Sequence, residues 1–306
     1  MSPRRLFLFA GYNKYKFVDH MLLRYLHALS QLGDIVFVMD NELSDEETEK
    51  LASIPNMLHI QAQTHGEYDF GSYKRAYQFA ARNKILGKYD WIYFVNDSVL
   101  GPLFKLGPVL EKLESNGTDV VGMFQCVRGD VPRHIQSWFL GMSGAVAGRE
   151  YVAAFMDKIK KQPSKQLIIL KYEIGFSLIL QANGATFSAV AEGNRDLYVS
   201  PYLQIENGIP FLKKACMNRI SCIKLKNMLP DNSILSDIKL WMWENGIERD
   251  EEQDVEIPEN TAYLPVAEIK LFGCIPFMRV LCKRGYGLLK YKFMFLGIVP
   301  ILTIRR

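Results

Sequence analysis

Polar clusters follow four apolar runs in the N-terminal part of the chain, and their side chains suit a nucleotide diphosphate. The runs are "RLFLFA", "DIVFVM", "MLHIQAQ" and "WIYFV". If these runs are parallel strands, their carboxyl ends meet at one edge of a sheet, where ligands bind in such folds. A ring can contact a base, lysine can contact phosphate, and aspartate can hold Mg²⁺ or Mn²⁺. The candidate binding residues are Tyr12, Lys14, Asp40, Asp69, Lys74, Asn96 and Ser98, with Asp97 as the candidate metal ligand.

These residues also have structural interpretations. Asp40 and Asp97 can stabilise turns, and Asp69 can cap the helix that follows it. Lys74 can be a solvated charge on that helix. The sequence contains neither GxxxxGK[ST] nor GxGxxG, which excludes a P-loop enzyme and an ordinary dinucleotide dehydrogenase.

An alternation of strand and helix patterns positions the clusters. Leu22, Leu26 and Leu29 have helical spacing between the first two runs, and Ser44 and Glu47 have the spacing of a capping box. Later patterns predict helices at about 71–86, 150–161 and 173–183, and strands in "DVVGMF", "SWFLGMSGAVAG" and "TFSAVA". This order predicts an α/β fold with a mainly parallel sheet flanked by helices.

The composition is that of a globular, weakly basic chain. Its 306 residues are 49% hydrophobic and carry a formal charge of +4, which does not indicate a nucleic-acid partner. The five cysteines form no CxxC pair, so we expect reduced thiols in the cytoplasm. The run in "RRLFLFAGY" is too short for a signal peptide and predicts a strand. "FMFLGIVPILTI" is shorter than the roughly 20 residues that a membrane-spanning helix needs.

The alternation weakens after about Pro201. We predict an α/β domain over residues 1–200 and a mostly helical extension over 201–306. "PFLKKACMNRISCIKLKNML" and "NSILSDIKLWMWENG" predict helices, and "ERDEEQDVEIPEN" predicts an exposed loop. From Ala267 onward, basic residues are mixed with large apolar ones, a composition typical of a segment at a membrane interface. The alternative is a C-terminal helix packed on the main domain.

Four stretches resemble the bacterial rhamnan synthesis F-like glycosyltransferases, in the order found in that family. They are "EYDFGSYKRA", "YDWIYFVNDSVLGPL", "HIQSWFLGMSGAV" and "YEIGFSLILQANG", and the resemblance covers approximately residues 4–215. It implies a GT-A-like domain that transfers a sugar from a nucleotide donor. It also places Asn96-Asp97-Ser98 where GT-A enzymes generally carry Asp-x-Asp, so Asp97 is the implied metal ligand and a second carboxylate is absent.

The last two stretches suggest residues that act on the acceptor. The resemblance implies that Glu173 is the base that removes a proton from the acceptor hydroxyl, and a helix start would hold such a carboxylate. A first-turn glutamate that complements the helix dipole is the structural alternative. His134 is a candidate catalytic residue, whereas Gln136 and Ser137 suit sugar hydroxyls. Trp138 is expected either to stack on a sugar or to fill the core.

The resemblance implies extension of a lipid-linked O-antigen, capsule or cell-wall glycan at the inner face of the cell membrane. Rhamnose, galactose and galactofuranose donors are all compatible with the sequence. Two other functions stay open: a noncatalytic carbohydrate- or nucleotide-binding partner in such a pathway, and a peripheral membrane adaptor. The missing second carboxylate beside Asp97 keeps the noncatalytic hypothesis open.

Overall fold

The computed structural model describes residues 3–129, 131–193, 201–229 and 233–247, and the backbone of four strands between Leu264 and Arg305. The chain forms two compact units, Met1–Lys214 and Ala215–Arg306. The division between them falls later than the boundary after residue 200 that the sequence predicts.

Strands and helices alternate along the first unit. Its described strands are β1 Arg5–Gly11, β2 Asp34–Met39, β3 Met57–Ala62, β4 Trp91–Asn96, β5 Val99–Leu100, β6 Val120–Cys126, β7 His134–Ile135, β8 Phe139–Ser143, β9 Phe187–Gly193 and β10 Leu212–Lys213. Its described helices are α1 His20–Ser30, α2 Asp45–Ala52, α3 Tyr68–Arg82, α4 Leu106–Glu114, α5 Gly144–Ala147, α6 Glu150–Asp157, α7 Lys165–Ile168, α8 Gly175–Ala182 and α9 Pro201–Glu206.

The main sheet is mixed and mostly parallel. Its strand order is β3-β2-β1-β4-β8-β6-β7, and β9 pairs with β6. The β3-β2-β1-β4 part is parallel, as is the β6–β9 pair, whereas β8 runs antiparallel to both β4 and β6. Strand β7 also runs antiparallel to β6. Among the described residues, the predicted α/β class is therefore confirmed, with β7 and β8 as reversed strands.

The central strands are apolar because both faces of the sheet are covered. Phe7 and Phe9 of β1 face one hydrophobic cluster, whereas Leu6 and Leu8 face the other. Alternate side chains of a strand point to opposite faces, so a continuous apolar run is what a doubly covered strand requires. Helix α1 packs on the first cluster and is capped by Asp19, whose carboxylate accepts a hydrogen bond from Leu22 N.

A helical run with a π turn crosses one side of the first unit. It begins after Ser164, whose Oγ accepts from Leu167 N, and continues from α7 through a π-helical turn, Ile169–Ile174, into α8. The sequence predicts a helix start near Glu173 instead. The structure differs because Ser164 supplies the cap, so Glu173 lies inside the run.

The second unit contains helices followed by strands. Helices α10 Cys222–Met228 and α11 Ser233–Glu244 lie within the two stretches for which the sequence predicts helices, but the start of the first stretch forms strand β10 instead. Beyond them, β11 Leu264–Leu271, β12 Ile275–Gly285, β13 Leu288–Phe295 and β14 Val299–Arg305 form an antiparallel sheet in sequence order. The basic tail is thus extended rather than helical.

The residue order of the tail explains the difference. Lys290 and Lys292 alternate with Leu289, Tyr291 and Phe293, which is the two-residue period of a strand. The composition alone does not reveal this period. The predicted acidic loop, 248–260, lies outside the described residues.

Two findings bear on the predictions about cysteines and the membrane. Within the described ranges, Cys126, Cys216 and Cys222 are not joined in disulfide bonds. In the part of the chain that the structure describes, no helix combines the length and the apolar character needed to cross a membrane.

Candidate active site

A pocket of about 290 Å³ lies in the first unit, where the polypeptide leaves the carboxyl ends of β4 and β6. Most of the predicted site residues line it. These are Asp69, Asn96, Ser98, His134, Gln136, Ser137, Trp138 and Glu173. The structure thus brings together residues from several of the motifs that carry the family resemblance.

One chain of hydrogen bonds links the end of β4 to the start of α3. Asn96 Nδ2 donates to Asp69 Oδ2 at 2.8 Å, and Asn96 Oδ1 accepts from Ser98 Oγ at 2.6 Å. Lys213 Nζ donates to Ser98 Oγ at 3.2 Å. Asn96 and Ser98 therefore hold a carboxylate and an ammonium group at opposite ends of one polar network.

Lys213 is positioned by strand pairing and by an aromatic ring. Strand β10 pairs antiparallel with β5, which brings Lys213 opposite Val99. The ammonium lies 4.4 Å from the centre of the Trp138 ring, a cation–π contact, and the side chain is buried. Trp138 Nε1 donates to Gln136 Oε1 at 2.9 Å. Trp138 therefore packs in the core and also supports a cation at the pocket.

Glu173 is held in a fixed orientation by Ser137. Glu173 Oε2 accepts from Ser137 N at 2.8 Å and from Ser137 Oγ at 2.6 Å. Its Oε1 lies 3.8 Å from His134 Nε2, while His134 Nδ1 donates to Pro132 O at 2.8 Å. The π turn that carries Glu173 is a feature often found at functional sites.

The surroundings of Asp69 change the pKa of its carboxyl. Burial, and then the negative charge of Asp97, raise the pKa of Asp69 to about 6, although Lys165 and Lys213 oppose the shift. A group with such a pKa changes its charge near neutral pH, which is a property of acid–base groups in active sites.

Asp97 lies behind the network, and its side chain is not part of the pocket lining. Its Oδ2 accepts from Tyr12 N at 3.1 Å, which ties the loop after β4 to the loop after β1. Burial raises the pKa of the Asp97 carboxyl, against the opposing charge of Lys214. The Tyr12 side chain itself is exposed and also lies outside the pocket.

Three other predicted residues lie outside the pocket lining. Lys14 is exposed, with its ammonium 4.7 Å from the centre of the Tyr15 ring. Asp40 Oδ1 accepts from the backbone N–H groups of His65 and Gly66 at 2.6 and 2.8 Å, so it holds the loop before α3. Lys74 Nζ donates to Ile159 O at 2.7 Å and joins α3 to the end of α6.

Among the lining residues that sequence reasoning missed, four carry a cationic or phenolic side chain: Tyr68, Arg128, Lys165 and Lys213. Lys213 lies in the stretch "PFLKKACM", where paired lysines after an apolar run were a signal. Tyr68 lies next to Asp69 in "EYDFGSYKRA", so its ring was also within a stretch that predicts the site. No pattern in the sequence distinguishes Arg128 or Lys165 from surface cations.

The carboxylates of the pocket determine whether it can hold a divalent cation. Among the described residues, no three His, Cys, Asp or Glu side chains converge as ligands. Mg²⁺ commonly uses only one or two protein carboxylates and completes its shell with water and phosphate oxygens. Asp69 faces the pocket and can supply one carboxylate to a cation of that kind, whereas Asp97 does not line the pocket.

Three solved structures align with part of the chain. The mannosyltransferase Ktr4p from S. cerevisiae in complex with GDP is 10% identical, with a TM-score of 0.34 over 50% of this chain and 60% of that one. Core-mannan synthase A from Aspergillus fumigatus, in a Mn/GDP form, is 10% identical, with a TM-score of 0.36 over 61% and 71%. S. aureus TarS 1-349 is 14% identical, with a TM-score of 0.36 over 67% and 65%. At these scores the likeness carries no inference about chemistry.

Sequence comparison is more informative. A curated relative, the uncharacterized protein y4gN of Sinorhizobium fredii (strain NBRC 101917 / NGR234), is 23% identical over 197 residues. The match covers 64% of this chain and half the length of that relative. The family model for rhamnan synthesis protein F matches residues 35–238. This match confirms the resemblance predicted from the motifs, and the chain belongs to the rhamnan synthesis protein F family.

Proposed function

We propose that the chain is a glycosyltransferase that moves a sugar from a nucleotide-sugar donor to an acceptor hydroxyl. The observation that carries the proposal is the composition of one pocket, which combines the cations Lys213 and Lys165 with the carboxylates Asp69 and Glu173. Such a pocket can neutralise a leaving diphosphate on one side and accept a proton on the other.

The cationic side of the pocket suits the donor. Charge-assisted hydrogen bonds from lysine and arginine to phosphate are strong, and they strengthen as the diphosphate gains charge on leaving. Lys213 is already fixed by Ser98 and Trp138, so little reorganisation is needed when the diphosphate leaves. Lys165 and Arg128 line the same pocket and supply further positive charge.

The acidic side suits the acceptor. In the proposed step, Glu173 takes the proton of an acceptor hydroxyl while its oxygen attacks the anomeric carbon. The bond from that carbon to the diphosphate breaks, and the nucleoside diphosphate leaves. Ser137 fixes Glu173 Oε2 with two hydrogen bonds, and His134 and Gln136 line the same pocket, where they would contact sugar hydroxyls.

A divalent cation is part of the proposal. When bound, Mg²⁺ or Mn²⁺ would be held by Asp69, with Asp97 behind it, and would stabilise negative charge on the diphosphate. The lysines act on the same charge, so the chain's own residues supply part of this stabilisation.

The proposed acceptor, sugar and place of the reaction rest on membership of the rhamnan synthesis protein F family. We propose a lipid-linked bacterial surface glycan as the acceptor, with rhamnose, galactose or galactofuranose as the sugar. We place the reaction at the cytoplasmic face of the membrane, with the basic C-terminal tail in peripheral contact. The family's description, rhamnan synthesis protein F, supports polysaccharide assembly as the setting.

The test is a donor-hydrolysis and transfer screen with UDP-, dTDP- and GDP-sugars, with Mg²⁺, Mn²⁺ or EDTA. We expect one donor to be turned over. Glu173→Gln should lower turnover at least a hundredfold and leave donor affinity within a few-fold, because general base catalysis typically contributes about 10²–10⁴.

The matched control is Glu150→Gln, which alters an exposed glutamate on α6. Asp97→Ala, with its melting temperature recorded, tests the predicted metal ligand. Donor binding without turnover in the wild type would instead support the noncatalytic binding partner. Absence of both binding and turnover would exclude both functions.

A further inference from the structure

A short basic and aliphatic segment, residues 158–171, forms part of the pocket rim. Its sequence is "KIKKQPSKQLIILK", which contains five lysines and no acidic residue. All five lysines are exposed. Ile169 and Leu170 follow one another and are 38% and 58% exposed. The segment, called the basic rim segment below, thus presents aliphatic side chains among positive charges.

The basic rim segment is joined to the pocket. Lys165 and Ile169 line the pocket directly. Lys161 lies close to Gly66, in the loop before α3. Its Nζ is 3.5 Å from the position that a Cβ on Gly66 would occupy. Whatever the segment contacts therefore lies at the mouth of the proposed active site.

Tyr172, which is buried, fixes the backbone next to the exposed side chains of Ile169 and Leu170. Tyr172 Oη donates to Lys160 O at 2.9 Å and accepts from Lys160 N at 3.0 Å. The Tyr172 ring is buried against Phe70 and Phe155, so the loop before α7 is fixed to the π turn. The backbone on both sides of Ile169 and Leu170 is therefore fixed by the buried contacts of Tyr172.

We infer that the basic rim segment binds an anionic lipid bilayer, with Leu170 and Ile169 entering the interface and the lysines facing the headgroups. Aliphatic side chains surrounded by lysine are the composition of membrane-interface segments. A protein partner would favour aromatic and arginine side chains at the centre of its contact, and the segment has neither.

This inference goes beyond the proposed function, because vesicle binding does not require catalysis. It also differs from the proposed contact of the C-terminal tail, which lies in the other unit. Binding at the rim would bring an acceptor carried on a lipid to the pocket without transferring it through bulk water.

The test is co-sedimentation of the full chain with vesicles of phosphatidylcholine alone or mixed with phosphatidylglycerol. The triple variant K158Q/K160Q/K161Q should bind the mixed vesicles at least about tenfold more weakly, since each lysine near an anionic surface contributes about fivefold. Ile169→Ser with Leu170→Ser should also weaken binding about tenfold, through lost apolar burial.

The controls match each change in type and exposure. K88Q/K105Q/K112Q removes three exposed lysines elsewhere in the first unit, and Leu178→Ser removes a leucine that is 42% exposed on α8. Both should bind like the wild type. Melting curves should show all variants folded, and K158Q/K160Q/K161Q should hydrolyse a soluble donor at the wild-type rate.

The inference would be overturned by equal losses in the two triple lysine variants, which would indicate diffuse electrostatic attraction. Unchanged binding in K158Q/K160Q/K161Q would place the contact elsewhere, including the C-terminal tail. No binding of the wild type to either vesicle would leave a protein as the partner of the rim. None of these outcomes alters the donor-hydrolysis result, so the two proposals fail separately.

Discussion

The ammonium of Lys213 lies over the Trp138 ring, 4.4 Å from its centre, and donates to Ser98 Oγ at 3.2 Å. The contact joins β10 to residues near the ends of β4 and β7, so three distant parts of the chain meet at one charge. A buried cation that lines a pocket is costly without compensating negative charge. Asp69 supplies part of that charge, and a donor diphosphate would supply more.

Lys213→Met should therefore weaken nucleotide binding. The loss of a charged hydrogen-bond donor typically costs about 1.5–3 kcal/mol, or about tenfold to a hundredfold in affinity. The measurement is calorimetric titration with UDP, GDP and dTDP. Lys214→Met is the matched control, because Lys214 is the next residue but its ammonium pairs with Asp19 at 3.7 Å, outside the pocket lining. Equal affinities in the two variants would contradict the role assigned to Lys213.

Asp69→Asn tests the carboxyl whose pKa is raised. Asp69 has a folded-state pKa of about 6, above its ordinary 3.8, so the folded protein binds a proton more readily than the unfolded chain. The free energy of unfolding then falls as pH rises from about 4 to 6, and the penalty is complete above that range. Asp69→Asn should remove this pH dependence and raise stability at neutral pH by on the order of 3 kcal/mol.

The same substitution, Asp69→Asn, should lower donor turnover although it raises stability. If the ionised carboxylate holds a cation or accepts a proton, donor turnover in the wild type rises with pH through about 6. In Asp69→Asn this rise should disappear, together with most of the turnover. Urea unfolding and pH–rate profiles measure the two effects on the same samples. A variant that is less stable at neutral pH, or that keeps the rise, would contradict the assignment.

Tyr68→Gly and Tyr68→Ala separate backbone strain from the contribution of the ring. Tyr68 lines the pocket with a φ of 58°, in the left-handed region that bulky residues rarely adopt. The loop before it is fixed by the bonds from His65 and Gly66 to Asp40. The side chain is 46% exposed, so its ring is available to stack on a base or a sugar.

Both variants remove the ring and should weaken binding of donor or acceptor by about tenfold. Glycine adopts this φ without strain, so Tyr68→Gly should be more stable than Tyr68→Ala by about 1 kcal/mol. Chemical denaturation and ligand titration measure the two effects. Equal stabilities would show that the conformation is unstrained, and unchanged binding would exclude stacking.

The sequence predicted the strand-end residues of the site because continuous apolar runs mark doubly covered strands. Asn96 and Ser98 follow directly from that rule. Lys213 does not, because its bond to Ser98 spans 115 residues and depends on the pairing of β10 with β5. Asp97 was predicted at the site because its place after β4 could be read, but the direction of its side chain could not. The continuity of the helical run through Glu173 could not be read from the sequence either.

A buried ion pair at the other edge of the sheet provides a stability test independent of the pocket. Glu114 accepts from Arg5 Nε at 2.6 Å and from Arg5 Nη2 at 2.7 Å, and Tyr93 Oη donates to it at 2.7 Å. Both charged side chains are almost fully buried. Glu114→Gln would remove the ion-pair partner of the buried Arg5 guanidinium, and breaking a buried pair typically costs about 3–5 kcal/mol.

The measurement is urea unfolding of Glu114→Gln beside Glu111→Gln, which removes an exposed carboxylate from the same helix. Surface changes of that kind usually stay within about 0.5 kcal/mol. Donor turnover of Glu114→Gln at a temperature where it is folded should match the wild type, because Glu114 does not line the pocket. A loss as small as that of Glu111→Gln would mean that water or a shifted side chain compensates Arg5. Lost turnover in a folded variant would mean that this end of β1 and β4 affects the geometry at the opposite edge of the sheet.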